Sequence, residues 1–192
     1  MRTPSILPST FTRKQAEAAG MPKHALYALR DRGELEVIAR GVYRRRDAEL
    51  VDEDLLELAL RSSQATVCLT SALARHGLSD AIPTALDVAL PRGSRAPTVR
   101  VPVQWHWFHA ATFQVGREPL RIDDQTAVGL YSAERSIVDA FRMRRRVGAD
   151  VANEALKRWL RGRGHHPSAL LDIAQLLPRG APELERALEV LS

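Results

Sequence analysis

The chain has 192 residues, 45% of them hydrophobic, and a formal net charge of +5, which is enough for a packed core in one large or two small domains. A single cysteine, Cys68, excludes an internal disulfide framework and fits a reducing cytosol. No apolar run approaches the ~20 residues of a membrane span, and the N-terminus lacks a signal peptide's hydrophobic region. A cytoplasmic protein without a membrane partner is therefore expected.

The stretch 11–46 has the pattern of a helix-turn-helix followed by a wing. Thr12 and Gln15 have the spacing of a capping box at the start of the first helix. Gly20 can adopt the left-handed conformation that ends this helix, and Pro22 suits the first position of the next one. This order is a common way to place a helix in the DNA major groove.

The wing is predicted from the residues after the second helix, which Gly33 closes. Leu35–Ile38 begins a strand, Gly41 permits a tight turn, and Val42–Tyr43 returns. On a helical wheel the second helix has an apolar face and an opposite, mostly cationic face. The apolar face carries Ala25, Leu26 and Leu29; the opposite face carries Lys23, His24, Tyr27 and Asp31, with Arg30 at its edge.

Charge is concentrated in the same segment. Residues 1–46 contain ten Lys or Arg and four Asp or Glu, a net of +6, whereas the remainder contains 18 and 19, a net of −1. Such a distribution is typical of proteins whose phosphate contacts release counterions. The residues predicted to contact DNA are Arg13, Lys14, Lys23, His24, Tyr27, Arg30, Arg40, Arg44, Arg45 and Arg46. An ordinary helical hairpin with a solvated basic face is the alternative.

Residues 1–10 are interrupted by prolines and are predicted to be irregular. Winged helices usually have a further helix before the turn pair, and the chain has little room for one. Ile6, Leu7 and Phe11 are expected to cover the exposed apolar face instead.

Residues 47–192 are predicted to form a second, mixed α/β domain, so that the fold class is α+β. Six acids within 47–57 suit the start of a helix that runs to about Arg61. Strand patterns fill 84–131. The predicted helices are 65–77, a helix capped by Ser132 and running to about Arg146, 149–161, 167–176 and 182–191.

The segment GMPKHALYALRDRGELEVIARGVYRRR resembles the winged-helix part of AbiEi-type antitoxins of type IV toxin–antitoxin systems. The resemblance continues through SALARHGL (71–78), DVALPRG (87–93) and VGLYSAERSIVDAFR (128–142). It implies a repressor of its own operon that neutralises a nucleotidyltransferase-like toxin without needing a stable complex with it. The implied partners are double-stranded operator DNA and this toxin. A monomer or weak dimer that pairs on inverted-repeat DNA would suit these roles.

Catalytic patterns are incomplete, so neither an enzyme nor a cofactor is expected. Gly93-Ser94 could open a nucleotidyltransferase site, but a proline and a strand follow. Glu154 and Lys157 are three apart on a helix rather than on adjoining strands. Asp123-Asp124 lie in a turn, which such residues more often start than use for metal binding. His165-His166 has one distant cysteine, which makes a zinc site unexpected.

His106 and His109 would point to opposite faces of one aromatic strand and cannot pair as ligands there. The neighbouring Trp105, Trp107 and Phe108 suit core and sheet surface better than a base-stacking platform. Arg135 and Asp139 are one helical turn apart and are interpreted as a structural ion pair.

The C-terminal helices are locally basic, which suggests either a solvated surface or a second polyanion-binding surface. The candidates for an antitoxin surface are Arg142, Arg145, Arg158 and Arg161. Two other functions remain open beside the antitoxin: a winged-helix transcription factor whose second domain senses or oligomerises, and a nucleic-acid-processing enzyme.

Overall fold

A computed structural model describes residues 7–47, 52–123, 125–177 and 182–191. The α+β class predicted from the sequence is confirmed, and the chain divides into two compact units. Unit 1 comprises Met1–Ser63, Pro97–Arg100 and Leu120–Val128; unit 2 comprises Gln64–Ala96, Val101–Pro119 and Gly129–Ser192. The domains predicted from the sequence, 1–46 and 47–192, are defined by independent folding, which stays a prediction. The compact units divide the chain at different residues.

Unit 1 begins with a short strand, β1 (Thr10–Thr12), that runs into helix α1 (Arg13–Ala18). The predicted capping box is confirmed: the Thr12 side chain accepts from the Gln15 backbone N–H, and the Gln15 side chain accepts from the Thr12 N–H at 2.7 Å. Gly20 is left-handed, with φ +79°. Helix α2 (Lys23–Asp31) comes next, with Pro22 as its N-cap rather than its first residue.

The wing consists of β2 (Leu35–Ala39) and β3 (Val42–Arg45), joined by a turn in which Gly41 has φ +74°. The sheet order is β1-β3-β2, with both pairings antiparallel. The strand at Thr10–Thr12 was not predicted, because three residues beside a capping box carry no alternation signal of their own. It supplies the outer edge of the sheet.

The core of unit 1 lies between the two helices and this sheet. Leu7 and Phe11 are 5% and 0% exposed and pack with Met21, Leu26 and Leu29. They therefore cover the apolar face, as predicted from the sequence, while Ile6 lies outside the described residues. Phe11 also stacks on Tyr43 of β3, with ring centroids 6.2 Å apart. Helix α3 (Glu53–Arg61), capped by Asp52, ends at the residue predicted from the sequence and belongs to unit 1.

Unit 2 is built on a five-stranded mixed sheet in the order β6-β5-β4-β8-β7. The tip of the hairpin formed by the last two strands, Leu120–Val128, belongs to unit 1. The strands are β4 (Thr66–Val67), β5 (Leu86–Pro91), β6 (Val103–Phe108), β7 (Arg117–Arg121) and β8 (Ala127–Tyr131). Strand β4 pairs antiparallel to β5 and parallel to β8, and β5 pairs parallel to β6.

The helix predicted over 65–77 was wrong at its start. Thr66–Val67 forms the central strand, and helix α4 covers only Leu69–Arg75. Thr66 and Val67 are both fully buried, and such a short apolar run cannot be assigned to strand or helix by periodicity alone.

The remaining helices form the larger core of unit 2. Ser132 caps α5 as predicted, but this helix ends at Arg142, so the single helix predicted to Arg146 was wrong. Trp159 is 1% exposed at the centre of this core. The helices are α5 (Ala133–Arg142), α6 (Arg144–Val147), α7 (Ala149–Leu160), α8 (Pro167–Leu176) and α9 (Pro182–Leu191). None of the described helices is long and apolar enough to cross a membrane.

Candidate nucleic-acid interface

Helix α2 has two chemically distinct faces, as its sequence predicts. Ala25, Leu26 and Leu29 are buried against the core of unit 1. Lys23, His24 and Arg30 are exposed on the other face. The helix is therefore anchored by one side and presents cations on the other, which is the arrangement a groove-binding helix requires.

Tyr27 organises the exposed face of α2. Its ring lies 5.5 Å from the Lys23 Nζ and 4.8 Å from the Arg30 Cζ, measured to the ring centroid. Contacts of this kind contribute about 0.5–1 kcal/mol at exposed sites. The tyrosine thus holds two cations, one helical turn on either side, against one aromatic surface.

Two of the predicted cations on the helices already have carboxylate partners. Arg30 Nη2 lies 2.7 Å from Asp31 Oδ1, and Arg13 Nε lies 3.2 Å from Glu17 Oε1. The hydrogen bond and charge of Asp31 raise the pKa of Arg30. Exposed pairs of this type contribute little to stability, so a phosphate or a base edge could replace either carboxylate.

The wing presents a smaller set of cations than the sequence suggested. Arg40 and Arg46 are exposed, and no described carboxylate pairs with either of them. Lys14 on α1 is exposed in the same way. Arg45 is half-buried and forms a two-pronged pair with Asp47, with distances of 2.9 and 2.6 Å. That pair also holds the pKa of Asp47 below its usual value.

Arg44 is a correction to the predicted DNA-contacting set. Its side chain is 8% exposed and lies between Glu36, at 2.9 Å, and Glu53, at 3.0 Å. Strand alternation points Arg44 to the face opposite the buried Tyr43, and its pairing with Glu36 and Glu53 buries it on that face. Arg44 therefore ties the two wing strands to α3 rather than facing DNA.

Sequence reasoning missed two arginines that fix the wing. Arg61 Nη2 donates to the Arg40 carbonyl at 2.6 Å, and Arg100 Nη1 donates to the Ile38 carbonyl at 2.6 Å. Glu57 in turn accepts from the Arg100 N–H at 2.9 Å. Arg100 is 62 residues from Ile38 along the chain, so no local pattern could have revealed this contact. Both cations add positive charge beside the wing turn.

This cationic helix, its buried anchor and the wing behind it occupy one continuous segment. Residues 6–46 match the family model of the AbiEi antitoxin transcriptional regulators. The AbiEi resemblance expected from the sequence is confirmed over this segment. The matched residues include β1, α1, α2 and both strands of the wing.

Over nearly its whole length the chain resembles a solved structure in fold. The structure is similar to that of the RV2827C protein from Mycobacterium tuberculosis, with a TM-score of 0.51 and 21% sequence identity. The match covers 96% of this chain and 76% of the other. No curated protein matches the sequence. The AbiEi-type segment is therefore the part that carries a functional relationship.

Only two of the four arginines in the predicted antitoxin surface have no carboxylate partner in the described part of the chain. Arg142 pairs with the buried Asp139, and Arg158 donates to Asp80 at 2.8 Å and to Glu154 at 2.9 Å. Arg145 and Arg161 are exposed, and no carboxylate pairs with them in the described part of the chain. Arg142 and Arg158 thus stabilise unit 2, whereas Arg145 and Arg161 stay candidates for partner contacts.

The groups tested for catalysis have structural partners. Asp123 accepts from the backbone N–H groups of Gln125 and Thr126, at 2.9 and 2.6 Å, so it starts the turn as expected; Asp124 lies outside the described residues. The His165 ring stacks on Trp159 with centroids 4.6 Å apart. Among the described residues, no group of three His, Cys, Asp or Glu side chains could hold a metal ion.

Proposed function

We propose that this chain is the antitoxin of a type IV toxin–antitoxin system and represses its own operon. The observation that carries the proposal is the exposed cationic stripe of α2 within the segment that matches AbiEi regulators. The stripe has the length of about two and a half helical turns, which suits the width of the major groove. Binding of operator DNA places the protein in the cytoplasm.

In this proposal, α2 enters the major groove with Lys23, His24, Tyr27 and Arg30 facing the base edges. Arg40, Arg45 and Arg46 follow the phosphate backbone or enter the adjacent minor groove, and Arg13 and Lys14 contact phosphates from the start of α1. Phosphate contacts would set affinity and position, whereas the α2 side chains would set sequence preference. Two copies would pair on an inverted repeat, since palindromic operators mirror two-fold protein symmetry.

The second half of the proposal assigns neutralisation of a nucleotidyltransferase-like toxin to residues 47–192. Support comes from Arg145 and Arg161, two exposed cations on this part of the chain that have no carboxylate partner among the described residues. A functional interaction without a stable complex is sufficient for this role. The toxin or its RNA substrate would meet this surface through charge complementarity.

The deciding experiment measures binding of the full chain to DNA from upstream of its own gene. The test variant replaces the three exposed basic residues of α2 with alanine (Lys23→Ala, His24→Ala, Arg30→Ala), and the matched control carries Arg145→Ala and Arg161→Ala. We expect the α2 variant to lose specific binding and the control to keep it. Retained operator affinity in a folded α2 variant, checked by circular dichroism, would contradict the proposed interface.

A further inference from the structure

A cavity of about 410 Å³ opens on unit 2, and none of its lining residues is assigned to DNA binding. This volume lies in the usual range of small-molecule sites. Its walls come from the β5–β6 region and from helices α5 and α6. The residues important for its chemistry are Arg92, His106, Trp107, Arg135, Arg142 and Arg146.

The lining of this cavity carries an excess of positive charge. Its acidic partners lie behind the wall: Asp139 pairs with both Arg135 and Arg142, and Asp87 bonds to His106 at 2.7 Å. With the histidines neutral, four guanidinium groups and two carboxylates give a net charge of +2. Concave sites lined by one sign of charge concentrate ions of the opposite sign.

Two of the lining arginines have no carboxylate partner among the described residues. The side chain of Arg92 is exposed at the turn after β5, where its backbone N–H donates to the Phe108 carbonyl at 2.7 Å. Arg146 Nη1 lies 3.1 Å from the Nδ1 atom of His106, a nitrogen rather than a carboxylate. Both guanidinium groups therefore retain donors for an anion from solution.

His106 positions Arg146 rather than repelling it. A guanidinium has only donors, so Nδ1 of His106 must accept, and Nε2 must carry the proton that is donated to Asp87. The ring is 2% exposed and held from both sides. The chain Asp87–His106–Arg146 thus orients a cation toward the cavity without neutralising it, because the imidazole between them is uncharged.

An aromatic wall completes the site. Trp107 is 46% exposed, unlike the other tryptophans, and its indole N–H donates to the Ser94 carbonyl at 3.0 Å. The ring is therefore fixed while one surface stays open. The sequence predicted core or sheet surface for this aromatic group rather than a base-stacking platform. Exposed, fixed indoles can stack on nucleobases.

We propose that this cavity binds a nucleotide, with its phosphate groups on Arg92 and Arg146 and its base against Trp107. Guanidinium groups suit phosphate oxygens because their planar donors match them in pairs. Arg135 and Arg142 stay engaged with Asp139 and supply background charge. The proposal does not depend on operator binding by unit 1. The ligand is either a free nucleotide or the terminal nucleotide of a nucleic-acid strand, since both offer the same phosphate and base.

The test is isothermal titration calorimetry of the full chain with four probes: ATP, adenosine, inorganic triphosphate and a short 5′-phosphorylated oligoadenylate. We expect saturable binding of ATP or of the oligoadenylate, and weak or absent binding of adenosine. The double variant Arg92→Gln/Arg146→Gln should weaken it at least about tenfold, because two charge-assisted hydrogen-bonding groups are removed. Tighter binding of the oligoadenylate than of ATP identifies a strand end as the ligand.

Matched variants exclude non-specific attraction to a basic protein. Arg145→Gln/Arg161→Gln removes the same charge outside the cavity, and Lys23→Ala/His24→Ala/Arg30→Ala removes it from unit 1; both should bind ATP like the parent. Trp107→Leu should abolish the preference for ATP over inorganic triphosphate. The proposal is overturned by absence of saturable binding up to about 1 mM, by equal losses in the control variants, or by binding of adenosine as tight as that of ATP.

Discussion

Arg135 and Asp139 form an ion pair in which neither side chain is more than 1% exposed, with the Nε and Oδ2 atoms 2.7 Å apart. The other donors of the guanidinium reach the carbonyls of Thr112 and Val115, at 2.9 and 2.6 Å, and its plane lies over the Tyr131 ring. The helical spacing predicted this pair, and it is confirmed. This buried pair and its carbonyl contacts fix helix α5 to the segment before β7.

Replacing Asp139 with asparagine should lower the free energy of unfolding by about 3–5 kcal/mol, because a buried guanidinium would lose its counter-charge. Arg142 would lose its partner in the same change. The matched control is Asp80→Asn, which breaks a pair whose carboxylate is 84% exposed and should therefore cost much less stability. Urea denaturation of both variants measures the difference, and equal losses would contradict the assigned role of burial.

On helix α2, the proposed recognition helix, Asp31 would compete with DNA for Arg30. Arg30→Ala should weaken operator binding by about 1–3 kcal/mol if the side chain reads a base with two hydrogen bonds. Asp31→Asn should have the opposite sign, since it frees the guanidinium and removes a negative charge from the face. Fluorescence anisotropy at fixed salt tests both variants; unchanged affinity in both of them would place α2 off the DNA.

The wing prediction concerns salt dependence. Arg40→Ala and Arg46→Ala should weaken binding to all sequences and reduce the slope of log K against log salt by about one unit for each phosphate contact that the variant removes. Arg44→Met should leave that slope unchanged and instead reduce stability, because Arg44 is buried between Glu36 and Glu53. A reduced slope in the Arg44 variant would restore this residue to the interface.

The raised pKa values of two buried groups predict that the protein loses stability at alkaline pH. Burial raises the pKa of the Cys68 thiol and of the Tyr131 hydroxyl, which donates to the Phe113 carbonyl at 2.9 Å. When a group's pKa is higher in the folded than in the unfolded protein, its stabilising effect is complete below the unfolded-state pKa and is lost as pH rises above that value. For cysteine this loss begins at about pH 8.5. Stability measured from pH 7 to 10 should therefore fall, and less steeply for Cys68→Ala.

The same burial makes Cys68 inert in the native protein, since the thiolate is the reactive form. Alkylation by iodoacetamide should proceed only as fast as the protein opens. Rapid labelling at pH 8 without denaturant would show that the segment around Cys68 is accessible. The unfolded chain provides the reference rate.

Repression and neutralisation should be separable by charge reversal. Arg145→Glu/Arg161→Glu should impair rescue of cells that express the neighbouring toxin more than it impairs repression of a promoter–reporter fusion. The α2 variant described above should do the reverse. Growth and reporter activity are scored in the same strains. Failure of the α2 variant to rescue, while it is folded and expressed, would show that neutralisation depends on DNA binding.

Local signals in the sequence were sufficient to predict the helix caps and turns of unit 1. Thr12, Gly20 and Gly41 each specify a backbone conformation through their own chemistry, so the caps and turns could be predicted without tertiary information. The last two helices have the predicted bounds, 167–176 and 182–191, because a proline begins each of them.

Features that depend on contacts between residues far apart in the chain could not be predicted from the sequence. Thr66–Val67 is a strand only because β5 and β8 lie on either side of it. In the sequence, Arg44 cannot be distinguished from its neighbours in the basic run. Only the structure shows that it pairs with Glu53, which comes from another element. The cavity on unit 2 brings together Arg92, His106 and Arg146, which are up to 54 positions apart, and no periodicity links them.

Strand β1 has a consequence for shortened forms of the protein. It covers one edge of β3, with Phe11 opposite Tyr43, and Thr12 at its end also caps α1. A product initiated internally at Met21 would lack both, and its wing would expose unpaired backbone groups along Val42–Arg45. Such an open edge is a template for pairing with other chains. We therefore expect internal initiation to yield aggregation rather than a merely weaker DNA binder.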